Sequence, residues 1–394
     1  GCIDVYSNTG RAPYNPMLTT YYAFGKLEYE GMFPFGDLEQ IQKEVDFNLR
    51  REQVIKVHGS EHLVETENGS EQYDRILIAT GARAFAPPVK GLEPEDAFLM
   101  RTVEDALRFK DRLKKNDIKH AVVIGASMAG IKVVEVLHKY GIETWLLDLA
   151  SYIFPLAAYK EVAKEIEKRV EAQGVHLMFG VTIDHMEQEN GEKTAVLTDG
   201  SRIPADIVGL CIGTRAITET VQGEVEIGRG IVVDDHMRTS VPGIYAAGDC
   251  CEGNNLESGQ NQIIGLWANA NHQGETAGIN MAGGDMAYKG NILHNITHFM
   301  NMDFIGFGDN RMQGEVLEYG SLSEDLYIRL VLDGKRIVGA NILDNYRVSG
   351  IIKTICCGCL AGEQFVLPDY QRAMLVKAGL SVPFIDEVEE KIHG

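Results

Sequence analysis

The chain has 394 residues, a length that suggests about two to four domains. Hydrophobic residues make up 45% of it, which excludes a disordered chain. The net charge of −20 repels phosphate backbones and argues against a nucleic-acid partner. No apolar run approaches the ~18 residues that cross a bilayer, and so we expect no membrane span. Seven cysteines, an odd number, indicate reduced thiols and predict a cytoplasmic protein.

Apolar runs that end in glycine-containing turns recur along the chain, a pattern typical of α/β proteins. Strands are predicted at residues 76–79, 121–124, 144–147, 207–212 and 243–247, and helices at 131–137, 161–173 and 273–281. From about Lys289 onward the pattern changes. Two apolar runs flank Asp333-Gly334-Lys335, which predicts a β-hairpin in an α+β tail domain.

Residues 125–130, with the sequence Gly-Ala-Ser-Met-Ala-Gly, lie between a predicted strand and a predicted helix. A dinucleotide-binding turn needs one glycine for the tight bend and a second for close approach of the pyrophosphate. A third lets the helix pack on the strand. Gly125 and Gly130 occupy the outer positions, but Ser127 replaces the middle glycine, so the pattern is imperfect.

Asp148 follows Gly125 at a distance in sequence close to the spacing of about 20 expected for an acid that binds a ribose 2′-hydroxyl. Its carboxylate would accept hydrogen bonds from the diol of NAD and repel the 2′-phosphate of NADP. The turn and the acid together predict an NADH site. The alternative is an ordinary βαβ unit with a glycine turn.

A second acid, Asp249, follows the predicted strand 243–247 and Gly248. An aspartate in that position can accept a hydrogen bond from a polyol chain. In isolation, a strand-end aspartate is more often a cap or turn residue, and both interpretations stay open on this pattern alone.

The order of these motifs resembles that of a known family. Ala79-Thr80-Gly81, the turn at 125–130, Asp148 and Gly248-Asp249 together look like the pyridine nucleotide–disulfide oxidoreductases, flavoproteins with two dinucleotide-binding domains. Pro13-Tyr14-Asn15 and the Trp-Ala-Asn-Ala segment at 267–270 resemble one branch more narrowly. That branch contains rubredoxin reductases, ferredoxin reductases, NADH oxidases and nitrite reductase flavin domains.

The resemblance covers almost the whole chain and implies an α/β fold. Two interleaved Rossmann-like dinucleotide-binding domains would be followed by a C-terminal α+β domain. The FAD-binding domain would comprise residues 1–101 and 209–284, and the NAD-binding domain residues 102–208. Residues 285–394 would form an interface domain, through which two copies could make a homodimer.

The implied activity is that of an FAD-dependent NADH oxidoreductase. Hydride would pass from NADH to the flavin, and electrons would continue to an external acceptor such as a small redox protein, a quinone or oxygen. By resemblance, Asp249 would bind the ribitol, the main chain of Thr80, Gly81 and Gly248 would line the FAD site, and Val54 would meet the adenine. The implied NADH residues are Gly125, Ser127, Met128, Gly130 and Asp148, with Gly213 near the nicotinamide.

The sequence departs from the family at its start. The family opens with a strand and a glycine-rich turn for the FAD pyrophosphate, whereas this chain begins at what resembles the second strand, at residues 3–6. Ser7-Asn8 stands where an acid is expected. Two interpretations stay open: the native N-terminus is missing from this chain, or FAD is bound abnormally or not at all.

A second departure concerns a lysine–glutamate pair that many members place beside the flavin. Lys132 occupies the position of the glutamate, and the lysine position falls near Thr20 or Tyr21. Lys132 and Tyr21 are therefore the candidate catalytic residues, with the usual pair broken.

The disulfide-reducing branches also carry a cysteine near the flavin, and residues 11–36 contain none. Cys356, Cys357 and Cys359 lack a fourth ligand for a zinc or iron–sulfur site, and we interpret them as packed residues on a helix. Cys250 and Cys251 are also interpreted as packing residues. His294 and His298 have the i,i+4 spacing of a helical metal site, but no acidic motif accompanies them, and we predict no metal.

Two alternative functions remain beside the NADH oxidoreductase. The missing glycine turn and Lys132 favour an NAD(H)-binding sensing or interaction protein with weak or lost flavin binding. A thiol or CoA-disulfide reductase that used the tail cysteines is the other alternative.

Overall fold

The computed structural model describes residues 1–362 and 366–393. In these ranges the helices are α1 (Leu18–Phe24), α2 (Leu38–Glu44), α3 (Val103–Leu113), α4 (Met128–Lys139), α5 (Lys160–Glu171), α6 (Trp267–Met281), α7 (Ser349–Leu360), α8 (Asp369–Lys377) and α9 (Val382–His393). The strands are β1 (Asp4–Tyr6), β2 (Asn48–Arg50), β3 (Val54–His58), β4 (Leu63–Thr66), β5 (Gly69–Gln72), β6 (Ile76–Ile78), β7 (Ala82–Ala84), β8 (Ala97–Phe98), β9 (His120–Ile124), β10 (Glu143–Asp148), β11 (His176–Phe179), β12 (Ile183–Glu189), β13 (Glu192–Leu197), β14 (Arg202–Pro204), β15 (Ile207–Leu210), β16 (Thr214–Ala216), β17 (Ile231–Val232), β18 (Ile244–Ala246), β19 (Cys251–Asn254), β20 (Asn261–Gln262), β21 (His294–Phe299), β22 (Met302–Gly308), β23 (Glu315–Gly320), β24 (Tyr327–Asp333) and β25 (Arg336–Leu343). The predicted α/β fold is confirmed.

A five-stranded parallel sheet lies in the middle of the chain, with the strand order β11-β10-β9-β15-β8. The residues of β9 and β15 are almost all buried and apolar, which suits a sheet covered on both faces. Helix α4 packs against β9, β10 and β15. The βαβ unit predicted from about residue 121 to 148 is therefore confirmed. The sheet also includes β8, which precedes the proposed NAD-binding range 102–208, and β15, which begins inside that range and ends just after it.

A second region combines segments from before and after that sheet. Strands β6 and β18 pair in parallel, and β7 pairs antiparallel with β16. Strands β1 and β2 form a parallel pair, and two three-stranded groups have the orders β3-β4-β5 and β17-β19-β20. The buried residues Val57, Ile78, Val221, Ala246 and Cys250 belong to one hydrophobic cluster, which unites these short strands into one region.

The tail contains a five-stranded antiparallel sheet with the order β21-β22-β25-β24-β23. The predicted hairpin is confirmed, since β24 and β25 pair across the turn at Gly334, whose φ is +58°. Alternate residues of the sheet face opposite sides. Ile305 and Ile342 join the cluster formed with α7, α8 and α9, whereas Phe304 stacks on Phe154 at 5.2 Å between ring centroids.

The helix predicted by the spacing of His294 and His298 is wrong. Both residues lie on strand β21, where four positions correspond to about 13 Å along the chain. Residues i and i+4 share one face in a strand as well as in a helix, and so this spacing alone does not distinguish a strand from a helix. At that spacing the two rings cannot share one ion.

The remaining helix predictions are confirmed with shifted bounds. Helix α5 matches 161–173 closely, but α6 starts six residues earlier than expected, at Trp267. The segment at 267–272 contains two asparagines and a histidine, residues of modest helix propensity, and so no clear helix start is marked there. Among the described helices none is long and apolar enough to span a membrane.

Candidate functional site

Three neighbouring parallel strands, β10, β9 and β15, end at the same edge of the five-stranded sheet. Gly125 follows β9, Asp148 ends β10, and Gly213 lies three residues beyond β15. The crevice at the carboxyl ends of such strands is where α/β folds bind dinucleotides. We call this set, residues 125–130 with Asp148 and Gly213, the Asp148 edge. The structure brings all the predicted NADH residues together there.

The two glycines of the turn allow close packing of strand and helix. Gly125 has φ +103°, and a Cβ there would lie 2.3 Å from the carbonyl oxygen of Cys211. A Cβ on Gly130 would lie 1.9 Å from the carbonyl oxygen of Gly125. Real Cβ atoms do not approach so closely, and therefore both positions require glycine.

Ser127, at the imperfect middle position, caps helix α4. Its Oγ accepts a hydrogen bond from the Gly130 amide at 3.3 Å and donates one to the carbonyl of Cys211 at 3.1 Å. Met128 is the first residue of the helix. The first amides of a helix have no partner inside it and lie at its positive end, which suits a phosphate group.

The Asp148 carboxylate is fixed by the main chain. Oδ2 accepts from the Ala126 amide at 2.7 Å, and Oδ1 accepts from the Ala150 amide at 2.8 Å. A carboxylate has about four acceptor positions, so both oxygens can still accept from a sugar diol. The carboxylate is thereby held next to the glycine turn, as a ribose-binding acid requires.

A second edge is formed where the parallel strands β6 and β18 end together. The Ala247 amide donates to the Ile78 carbonyl at 3.1 Å, so Thr80-Gly81 and Gly248-Asp249 leave the pair side by side. Gly81 has φ +68° and open space where a Cβ would point. We call these four residues the Asp249 edge. Val54 packs against the hydrophobic cluster beneath it.

Arg101 is a residue of this edge that sequence analysis missed. Its Nη2 donates to Asp249 Oδ2 at 2.6 Å, and its Nε donates to the Ala82 carbonyl at 3.2 Å. Both side chains of the ion pair are mostly buried. Arg101 and Asp249 are 148 positions apart, so no local sequence pattern links them. The only pattern near Arg101 is the capping box of helix α3, which Arg101 precedes.

The ribbon of β7 and β16 connects the two edges. Gly213 has φ +105°, and its carbonyl accepts from the Phe85 amide at 2.9 Å. At the other end, the Ile217 amide donates to the Gly81 carbonyl at 2.9 Å, and Thr80 Oγ1 donates to the Ile217 carbonyl at 2.6 Å. Gly213 is thus tied through a short ribbon to Thr80 and Gly81.

Lys132 and Tyr21 lie together, and Lys132 has an acidic partner that sequence analysis missed. The Lys132 ammonium pairs with Glu135, donates to the His298 carbonyl at 2.7 Å and lies 4.5 Å from the Tyr21 ring centre. Glu135 Oε1 also accepts from Lys26 Nζ at 3.0 Å. The cluster joins α1, α4 and the tail sheet, and Lys132 has its carboxylate partner about one helical turn further along α4.

Burial and neighbouring charges shift the pKa values of Lys132 and Glu135 in opposite directions. Burial lowers the pKa of Lys132, against the opposing effect of the hydrogen bond to Glu135. Burial alone would raise the pKa of Glu135, but Lys132 and Lys26 outweigh it and hold that pKa below its usual value. Burial, then Glu135, raises the pKa of Tyr21. Glu135 is therefore held as a carboxylate between two lysines.

The family model for pyridine nucleotide-disulphide oxidoreductases matches residues 2–274. The chain belongs to this family. It is thereby one of the NAD(P)H-dependent oxidoreductases, whose cofactors are FAD and a pyridine nucleotide, and the predicted resemblance is confirmed.

The chain is similar to two curated relatives and to one solved structure. This chain is 28% identical over 324 residues to the NADH-dependent phenylglyoxylate dehydrogenase subunit epsilon of Aromatoleum evansii, and the match covers 80% of this chain and 76% of the relative. It is 26% identical over 350 residues to the nitrite reductase (NADH) large subunit of Escherichia coli strain K12, covering 86% of this chain but only 40% of that relative. The water-forming NADH oxidase from Lactobacillus brevis bound to NADH has the same fold, with a TM-score of 0.84 at 22% identity over 98% of this chain and 94% of that one.

The thiols of this oxidoreductase are all free, and most are buried. The Cys250 thiol donates to the Ile78 carbonyl and the Cys251 thiol to the Gly248 carbonyl, both at 3.4 Å, beneath the Asp249 edge. Cys356, Cys357 and Cys359 lie on α7, as predicted, with Cys357 half-buried. Burial raises the pKa of all three tail thiols, which disfavours the reactive thiolate.

Proposed function

We propose that this pyridine nucleotide-disulphide oxidoreductase is an FAD-dependent enzyme that takes a hydride from NADH and passes electrons to an external acceptor. The observation that carries the proposal is the pair of strand-end crevices, each with a fixed acid, joined by the β7–β16 ribbon. Two dinucleotides bound at these edges would meet across the ribbon. The class of reaction, NAD(P)H-dependent oxidoreduction, follows from membership of the family.

The residues at the Asp148 edge fit NADH. The helix N-terminus after Gly125 would face the pyrophosphate, with Ser127 and Met128 at the first turn and Gly130 permitting the close approach. Asp148 would accept from the adenosine ribose diol and repel a 2′-phosphate. Gly213, which has no side chain and open space in front of it, would lie beside the nicotinamide.

The residues at the Asp249 edge fit FAD. Asp249 would accept hydrogen bonds from ribitol hydroxyls while Arg101 holds its carboxylate in place. The open space at Gly81 would admit the cofactor against the main chain of Thr80, Gly81 and Gly248, and Val54 would offer backbone groups to the adenine. When bound, FAD accepts hydride from NADH and releases electrons to a second acceptor.

Lys132 and Tyr21 are proposed as the residues that set the electrostatics next to the reactive ring. Glu135 and Lys26 balance the charge of Lys132, and the packed Tyr21 ring restricts its ammonium. We further propose the domain ranges 1–101 with 209–284, 102–208 and 285–394, a cytoplasmic location, and a homodimer through the tail domain. The electron acceptor is proposed to be reached without a cysteine intermediate.

The test is to purify the protein, identify any released flavin, alkylate every accessible thiol and then measure NADH oxidation with ferricyanide. Bound FAD and activity that survives alkylation are expected. A colourless protein that takes up no FAD but binds NADH would favour the sensing function instead. Activity abolished by alkylation would favour a thiol or CoA-disulfide reductase.

A further inference from the structure

The loop that follows Asp148 contains a strained residue. This loop, residues 149–159, connects β10 to α5. Within it Phe154 has φ +55°, in the left-handed region, and is 1% exposed. A bulky residue seldom adopts this conformation, and it keeps the conformation only when the surrounding structure holds it there. Contacts with other parts of the chain must therefore hold Phe154.

The main chain of Phe154 is bound to the glycine turn of the Asp148 edge. Its amide donates to the Ala126 carbonyl at 2.9 Å. The Ala126 amide in turn donates to Asp148 Oδ2 at 2.7 Å. On the loop side, the Phe154 carbonyl accepts from the amides of Ala157 and Ala158, both at 2.9 Å. A displacement of Phe154 would therefore move the turn and the carboxylate that the turn fixes.

The ring of Phe154 packs against the tail sheet. It stacks on Phe304 at 5.2 Å between centroids, with 19° between the planes, and meets Phe299 edge-to-face at 5.5 Å. Both tail rings are fully buried. Stacked and edge-to-face arrangements are the favourable geometries for aromatic pairs. Phe154 is thus bonded to the glycine turn through its main chain and to the tail sheet through its ring.

The tail sheet also binds the main chain of the same loop. Asn341 is fully buried on β25, where its Nδ2 donates to the Ala157 carbonyl at 2.8 Å and its Oδ1 accepts from the Tyr159 amide at 2.7 Å. A Cβ on Gly306 of β22 would lie 2.7 Å from the Ala157 carbonyl oxygen, so the absence of a side chain there permits this close approach. Hydrogen bonds and close packing therefore fix the loop on the sheet.

We propose that Phe154 is a positioning residue for NADH, through which the tail sheet sets the geometry of the glycine turn. The proposal rests on the proposed function, in which the Asp148 edge binds NADH. Phe154 acts through Ala126 and Asp148 and does not touch the reacting ring of the nucleotide. Removal of its ring contact with the tail should therefore weaken NADH binding and leave the chemical step unchanged.

Strand β22 supplies a matched pair of variants. Phe304 faces the loop, whereas Phe307, which is 2% exposed, packs with α7, α8 and α9 on the opposite side of the sheet. Phe304→Leu should raise the Kd for NADH about threefold to thirtyfold, the size of effect found for residues that act on a ligand without contacting it. Phe307→Leu removes an equally buried ring and should leave that Kd unchanged. Calorimetric titration with NADH measures both values.

Two further measurements separate positioning from a general loss of stability. In the ligand-free protein, amide hydrogen exchange across residues 149–159 should be faster in Phe304→Leu than in Phe307→Leu, even if urea denaturation gives the two variants equal stability. In turnover with ferricyanide, Phe304→Leu should raise the KM for NADH and leave kcat unchanged. If Phe304→Leu does not fold, Phe154→Leu removes the same stacked contact from the side of the loop.

Equal Kd values for NADH in Phe304→Leu and Phe307→Leu would overturn the proposal, whether both values stay at the parent value or both rise. A lowered kcat with an unchanged KM would also overturn it. A parent chain that binds no NADH would contradict the proposed function, while the hydrogen-exchange comparison would still decide whether the tail sheet holds the 149–159 loop.

Discussion

The two edges are built in different ways. At the Asp148 edge, the contacts that fix the acid and the turn lie largely within one βαβ unit, since Ala126 and Asp148 are only 22 positions apart. At the Asp249 edge, Arg101 and Asp249 are 148 positions apart, and Thr80 reaches Ile217 across 137. The acid and the turn of the first edge are held mainly by local contacts, although Ser127 also bonds to Cys211, 84 positions away, whereas the second edge exists only after distant segments have assembled. Substitutions at the first should therefore affect stability more, and substitutions at the second should affect ligand occupancy more.

The largest effect is expected at Glu135, which links the regions that carry the two edges. Glu135→Gln leaves the Lys132 ammonium buried without a carboxylate, and removing one partner of a buried pair costs about 3–5 kcal/mol of unfolding free energy. Urea denaturation at pH 7 measures the loss. Glu171→Gln, on the exposed side of α5, should change stability by less than about 0.5 kcal/mol. A loss below about 1 kcal/mol for Glu135→Gln would contradict the role of the cluster.

Glu135→Gln also tests how the unfolding free energy depends on pH. The pKa of Glu135 is lowered in the folded chain by Lys132 and Lys26, so its stabilisation is complete above the usual glutamate pKa and is lost as the pH falls through the lowered value. Protonated Glu135 resembles glutamine. The stability difference between the parent chain and Glu135→Gln should therefore shrink between pH 7 and pH 3, and a difference that grows on acidification would refute the assignment.

Gly130→Ala tests the local construction of the Asp148 edge. The added Cβ would clash with the Gly125 carbonyl, and forced overpacking costs about 1–3 kcal/mol. We expect loss of stability together with weaker NADH binding, measured by denaturation and by calorimetry. Gly274→Ala is the control, because it also lies in a helix but its Cβ meets nothing within 4 Å. Equal stability of the two variants would show that the turn is less tightly packed than described.

Asp249→Ala tests the assembled edge. Removal of a buried acceptor costs roughly 1–3 kcal/mol, and so FAD affinity should fall between about fivefold and a hundredfold, while NADH binding at the Asp148 edge persists. Flavin fluorescence after gel filtration reports the occupancy. Asp285→Ala, at a 91% exposed side chain, provides the control. Full occupancy of the Asp249→Ala variant at low free FAD would remove Asp249 from the site.

The smallest effect concerns nucleotide choice. The parent chain should bind NADH more tightly than NADPH, because a 2′-phosphate would face the Asp148 carboxylate. Asp148→Asn removes the charge with little change of shape and should narrow the ratio of the two Kd values by about tenfold, or about 1.4 kcal/mol. Asp184→Asn, at an exposed acid, should leave the ratio unchanged. Equal affinity of the parent chain for both nucleotides would contradict the assignment of Asp148.

The contrast between the edges also explains what the sequence could predict. The turn at 125–130 and Asp148 were predicted because a strand, a turn, a helix and an acid follow one another at known spacing. Arg101 was missed because its partner Asp249 is brought close only by tertiary folding. Glu135 lies three positions after Lys132 on one helix, a spacing at which side chains meet, so the sequence did carry that signal, and only the contact with Lys26 required tertiary folding. The strand at His294 was misread because its spacing suits a helix equally well.

The most direct test of the account is an anaerobic titration of the FAD-reconstituted protein with NADH, followed by flavin absorbance. The account predicts that about one equivalent of NADH bleaches each bound FAD, and that NADPH is much less effective. The opposite result would be FAD that stays oxidised while NADH binds to the same protein. That outcome would show that the two edges do not bring their ligands together, and it would contradict the central claim.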